Sequence, residues 1–239
     1  MSGLIIDLFA GGGGASTGIE AALGRTVDGT TRNQNPANVI NLSIGGDSVN
    51  CDSATEEALD YAKTHGVTVI TAAGNDNGDS NLGHLPYASL SYPGNCYPTI
   101  NVGATGFHGD RAYYSNYTMP NAQGVGVDIS APGGDDRDQV GTPEGSEGQL
   151  LSTFNDGQSK PGNATYALEE GTSMAAPVVS GIVALLYSMK STMTFDEAWN
   201  LISKTVTPFK SGGQCALSTT GMCGIGIINA GAAVALLQS

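Results

Sequence analysis

The octapeptide Glu170-Gly171-Thr172-Ser173-Met174-Ala175-Ala176-Pro177, with the apolar run of residues 178–186 behind it, decides how the chain is read. It places a serine at the mouth of a buried helix. Gly171 lets the backbone turn without a Cβ penalty. Pro177 belongs in a first helical turn, where its missing N–H costs no helix bond. Val178, Val179, Ile182, Val183, Leu185 and Leu186 leave almost no polar face, so this helix is central to the fold. A hydroxyl at such an N-terminus faces the positive end of the helix dipole, which favours a developing oxyanion. A bare Thr-Ser would read as an N-cap on a core helix. The full string is far more specific.

Working outward, the 239 residues fit one large or two small domains with a sizeable core. Charged residues make up 13% and glycines number 35, which describes a loop-rich globular chain. A net charge of -13 argues against electrostatic binding of nucleic acid. No uninterrupted apolar run reaches membrane-spanning length, and residues 1–4 show no basic segment of a secretory signal. The four cysteines form no CxxC pair, which speaks against zinc. Cys215 and Cys223 are close enough in a loop to pair, leaving Cys51 with Cys96, and disulfides imply an exported origin.

Strands alternate with helices along the chain. Residues 4–22 read as strand, glycine loop and helix, and residues 39–43 as a strand ending in Ser43, Ile44, Gly45 and Gly46. Ser53-Ala54-Thr55-Glu56 reads as a capping box opening a helix that Gly66 ends, and residues 67–73 as a buried strand closing on Gly74-Asn75. Further strands are expected at residues 99–104 and 111–117, a strand and turn over residues 127–134, and a second capping box at Thr194–Glu197. Asp135, Asp136 and Asp138 offer carboxylates for a structural calcium, but their spacing matches no EF-hand loop, so a solvated loop is preferred. No cofactor is required by this pattern. The expected fold class is α/β: three layers, a mostly parallel sheet with helices on both faces, and the site at the carboxyl ends of the strands.

The string 171–177, together with Ala72-Ala73-Gly74-Asn75, Ile100-Asn101-Val102-Gly103-Ala104-Thr105, Ser130-Ala131-Pro132-Gly133 and residues 224–230, resembles the subtilases, the subtilisin-like serine proteases, from about residue 26 onward. The resemblance implies a serine endopeptidase acting on peptide or protein substrates and a secreted ancestor. It implies Ser173 as nucleophile and Asn75 as side-chain donor of the oxyanion hole, a donor worth about 3–4 kcal/mol in such sites. It implies that Ser43, Ile44, Gly45 and Gly46 pair with an extended substrate, and that Ala72, Ala73 and Gly74 floor the specificity pocket. Read alone, the same stretches are an ordinary strand end and a turn.

The family's His and Asp strings do not occur. His65, His84 and His108 each read as surface residues, and a serine without a base keeps an alcohol pKa. Residues 4–20 instead resemble the first motif of the DNA cytosine methyltransferases, whose loop contacts S-adenosylmethionine. The residues before the cysteines are Asn50, Asn95, Gln214 and Met222, so the Pro-Cys nucleophile of methyl transfer is missing. The chain thus reads as one subtilisin-like domain over residues 1–239, with residues 1–24 a methyltransferase-like graft and catalysis crippled. A peptide-binding pseudoprotease, an S-adenosylmethionine-binding module and a fragment without selected function are the competing readings. Lost central strands would leave apolar core exposed to self-association. The graft is expected to lie parallel to residues 39–43, with Asp7 at the carboxyl edge of the sheet.

Overall fold

The computed structural model describes residues 5–7, 19, 22–24, 34–78, 86–119, 125–138, 148–218 and 221–239. In chain order the strands are β1 (Ile5–Asp7), β2 (Val39–Leu42), β3 (Gly46–Asp47), β4 (Thr68–Ala72), β5 (Ser91–Tyr92), β6 (Ile100–Thr105), β7 (Ile129–Pro132), β8 (Leu150–Asn155) and β9 (Ala164–Glu169). The helices are α1 (Ser53–Thr64), α2 (Thr172–Met189), α3 (Phe195–Ser203), α4 (Gln214–Leu217) and α5 (Ala230–Gln238).

Five strands form one parallel sheet in the order β1-β2-β4-β6-β7. β2 and β4 are buried along their whole length, as expected of parallel strands covered on both faces. Side-chain alternation splits the two strands between two cores. Val39 and Ile70 join Ile100, Val102, Ile129 and α2 on one face, where α3 and α5 pack behind. Ile40, Leu42 and Val69 face the other way, against Ala58, Leu59 and Ala62 of α1 and against Ile19 and Leu23. This is the expected three-layer arrangement. β1 lies parallel to β2 with Ile5 opposite Val39 and Asp7 opposite Asn41, which puts the backbone of Asp7 at the carboxyl edge.

Several local expectations are corrected. The N-cap of α1 is Asp52, whose Oδ1 accepts from the Thr55 N–H at 3.0 Å, so Ser53 is already inside the helix. The Thr194–Glu197 box on α3 is as read, with both reciprocal hydrogen bonds present. Residues 111–117 are a turn bracketed by isolated bridges at Arg111 and Tyr117, because the backbone turns back on itself, with the Ser115 N–H donating to Ala112 O and the Asn116 N–H to Gly74 O instead of to a strand ladder. Near the C-terminus Ile227 makes isolated bridges with Ser130 and Thr207. Asp135 is buried, accepting from the N–H groups of Tyr113 and Arg137, so the solvated reading fails there. Residues 150–169 form an antiparallel hairpin that the sequence reading missed; Leu151, Leu168 and Tyr166 share one exposed face of it. α2 has a mean hydropathy of 1.5 over 18 residues, enough by length and composition to cross a membrane, which the count of uninterrupted apolar residues overlooked. Here Ala175, Ala176, Val179, Val183 and Leu186 are fully buried against the sheet.

At the amino-terminal edge of β7, Asp128 accepts the Asn101 N–H at 2.7 Å, and burial pushes its pKa up to about 6 from 3.8. The folded state therefore binds this proton more tightly than the unfolded state. Stability falls as pH rises from about 4 to about 6 and stays lower above that. Asp128→Asn is expected to raise the unfolding free energy at pH 8 by on the order of 2–3 kcal/mol and to change little at pH 3.5. Urea titrations of both proteins at the two pH values check this; an equal or lower stability of the variant at pH 8 contradicts it.

Candidate active site

The site forms where α2 starts, above the carboxyl ends of β2 and β4. Gly171 precedes α2 with φ 155°, a conformation that favours glycine, and its N–H donates to Gly133 O at 2.9 Å. The first helical N–H, that of Thr172, is met by Asn75 Oδ1 at 2.9 Å, and the Thr172 hydroxyl donates to the same oxygen at 2.8 Å. Both bonds fix which way the Asn75 amide points, leaving its Nδ2 outward.

That Nδ2 and the N–H of Ser173 have no hydrogen-bond partner among the described residues. They converge: a Cβ built on Gly171 would lie 3.5 Å from Asn75 Nδ2 and 3.6 Å from Ser173 N. Gly171 leaves that space open. Two unpaired donors around one small void at a helix N-terminus suit a developing oxyanion.

The underside of the site is held by a buried polar chain. Pro177 lies in the second turn of α2, one turn later than expected, and has no N–H for the carbonyl of Ser173 four residues earlier. The Ser43 hydroxyl supplies the missing donor, reaching Ser173 O at 2.7 Å. Asn41 Nδ2 donates to Ser43 Oγ at 2.9 Å, and Ser180 Oγ donates to Asn41 Oδ1 at 2.9 Å. β2 and α2 are thereby joined through side chains as well as by packing. Asn41 was missed as a site residue. Its signal is a polar residue inside an otherwise apolar strand, buried with its needs met.

A cleft of about 310 Å³ opens beside Ser173, and its lining brings together Ile44, Gly45, Gly46, Ala72, Gly74, Asn75 and Ser173. Ser43 and Ala73 are buried next to it and do not line it. β3 pairs with β5 through Gly46 opposite Tyr92 and Asp47 opposite Ser91.

Ser173 Oγ has one hydrogen-bond partner among the described residues, Ser43 O at 3.5 Å, too long for a strong bond and no proton acceptor of catalytic use. His65 ends α1 at the opposite, amino-terminal edge of the sheet, with Nδ1 on Tyr61 O. His108 follows β6 and is paired with Asp138. His84 and the glycine loop 11–14 lie outside the described residues. Among the described residues no group of three or more His, Cys, Asp or Glu stands together as metal ligands. The disulfides are Cys51–Cys96 and Cys215–Cys223, as expected.

The parallel sheet, the serine at the mouth of the central helix and the asparagine after β4 are the arrangement expected from the sequence for a subtilisin-like chain. Comparison with known proteins agrees. The subtilase family model matches residues 4–222, so the match begins ahead of residue 26, and the chain belongs to the subtilase family. It is 41% identical over 213 residues to the extracellular protease of Xanthomonas campestris pv. campestris, covering 89% of this chain and 31% of that protein. It is 34% identical over 224 residues to the extracellular basic protease of Dichelobacter nodosus, covering 91% and 31%. A solved protease of Pseudoalteromonas arctica superposes with a TM-score of 0.76 at 38% identity, covering 93% of this chain and 57% of that one. The chain thus spans about a third of the length of the two sequence relatives.

Proposed function

We propose that this chain carries the nucleophile, oxyanion donors and peptide-binding cleft of a subtilisin-like serine endopeptidase, and that alone it binds extended peptides without turning them over. Ser173 is the nucleophile position, the Ser173 N–H and Asn75 Nδ2 are the oxyanion donors, and Ile44, Gly45 and Gly46 form the edge on which a peptide backbone lies, with Ser43 bracing it from beneath. The observation that carries the reading is the pairing of two convergent unpaired donors with a serine whose Oγ meets no base among the described residues. An oxyanion hole and binding alone leave roughly 10³–10⁴-fold catalysis over water, far below a working protease. The extracellular relatives and the two disulfides support an exported protein.

The test is labelling of folded protein by a fluorophosphonate, with Ser173→Ala as control. Labelling no greater than that of the control is the expected result. Stoichiometric, Ser173-dependent labelling would show an activated serine and overturn the absence of turnover. It would also make His84→Ala and His108→Ala the next variants to label.

A further inference from the structure

The cleft beside Ser173 has a composition that selects what enters it. Its lining includes Gly45, Gly46, Ala72 and Gly74, which present backbone and little side chain. Ser91 stands beside Gly45 and Gly74. It is only 5% exposed, and its Oγ lies 3.4 Å from the Cβ that Gly45 would carry and 2.8 Å from that of Gly74. This hydroxyl has no hydrogen-bond partner among the described residues, so a buried polar group is left pointing into an open slot. Asp76 and Asp47 complete the lining, and no Lys, Arg or His is part of it. The Asp76 carboxylate is held in place: Oδ2 accepts from Asn116 Nδ2 at 2.7 Å, while the Asp76 N–H donates to Asn116 Oδ1 at 2.9 Å.

We propose that this cleft takes a basic side chain, lysine or arginine, of the bound peptide. The inference rests on the peptide-binding reading above and names the substrate class for it. A glycine-rich lining accepts an unbranched methylene stem, the part of lysine and arginine that packs on apolar surface. At the end of such a stem, Ser91 Oγ and the Asp76 carboxylate offer two acceptors to a cationic head. A carboxylate partly removed from water attracts that cation more strongly than bulk solvent would allow. An acidic side chain would meet the carboxylates of Asp47 and Asp76 and no cationic side chain in the lining. The chain's net charge of -13 draws basic peptides in the same direction at longer range.

The experiment is fluorescence anisotropy with four labelled pentapeptides, otherwise neutral and identical, whose central residue is lysine, arginine, norleucine or glutamate. On the full chain at low salt, the lysine and arginine peptides are expected to bind about tenfold tighter than norleucine, with glutamate weakest. In Asp76→Asn the preference for lysine over norleucine should fall to about threefold or less, since one acceptor loses its charge while its hydrogen bond to Asn116 survives. Ser91→Ala, which leaves the loop pairing untouched, should lower the same ratio by a smaller factor and serves if Asp76→Asn does not fold. Norleucine binding as tightly as lysine, or a ratio unchanged in both folded variants, overturns the proposal while leaving peptide binding intact. Failure of all four peptides to bind overturns the peptide-binding reading itself, and this preference with it.

Discussion

Gly74→Val is expected to lower the free energy of unfolding by about 3–5 kcal/mol and to abolish peptide binding. Two effects add. Gly74 has φ 98°, where a β-branched L residue is strained by about 1–2 kcal/mol. Its Cβ would also stand 2.3 Å from Asn116 Nδ2 and 2.8 Å from Ser91 Oγ. Asn116 cannot move away cheaply. Its Nδ2 donates to Ala73 O and Asp76 Oδ2, its Oδ1 accepts from Asp76, and its own N–H donates to Gly74 O. Overpacking of that kind costs about 1–3 kcal/mol, and part of the displacement falls on the cleft. Urea unfolding of the variant measures the first effect and peptide anisotropy the second. A loss of less than about 1 kcal/mol would mean that the turn relaxes in a way this geometry does not allow.

The disulfides should be unequal. Cys51–Cys96 closes 45 residues and Cys215–Cys223 only 8. By loop closure the first restricts the unfolded chain by about 4 kcal/mol and the second by about 2.5 kcal/mol. Cys96 is also 3% exposed and packs in the core beneath α1, so its replacement removes burial as well. The paired variant Cys51→Ser with Cys96→Ser is therefore expected to be the less stable of the two double variants. Chemical unfolding under non-reducing conditions ranks them. The reverse order would locate the strain or residual structure of the unfolded chain in the 51–96 loop.

Much of this fold is written in short periods. Residues 39–42 and 68–72 are apolar enough for strands buried on both faces, and α1 between them carries a cap and a glycine stop, so the parallel sheet could be read without coordinates. Ser173, Asn75, Gly45, Gly46, Ala72 and Gly74 were legible because each sits at the end of a strand or start of a helix, where the chain must turn. What escaped was long-range. Nothing local says that Pro177 leaves the Ser173 carbonyl for Ser43, because the two residues are 130 positions apart. Asp52 won the cap from Ser53 because both residue types cap well and only the chain path chooses between them. The 150–169 hairpin was hidden because its strands alternate weakly and stay largely exposed, so no buried face marks them.

The central position of α2 has a consequence for how the protein comes to exist. Every strand of the main sheet precedes residue 133, yet the helix that covers one face of it begins at Thr172. While the chain is being synthesised, Val39, Ile70, Ile100, Val102 and Ile129 are made before anything is available to shield them. The side-chain links from β2 to this helix span 130 and 139 residues, so a large loop must close before either can form. Acquisition of the native state is thus gated by the last quarter of the sequence. Until Met189 has cleared the ribosome, the nascent chain presents a half-covered sheet that invites aggregation or chaperone capture. Ser173 lies on the element that ends this vulnerable period, so the cleft beside it comes into being only when the apolar face is closed.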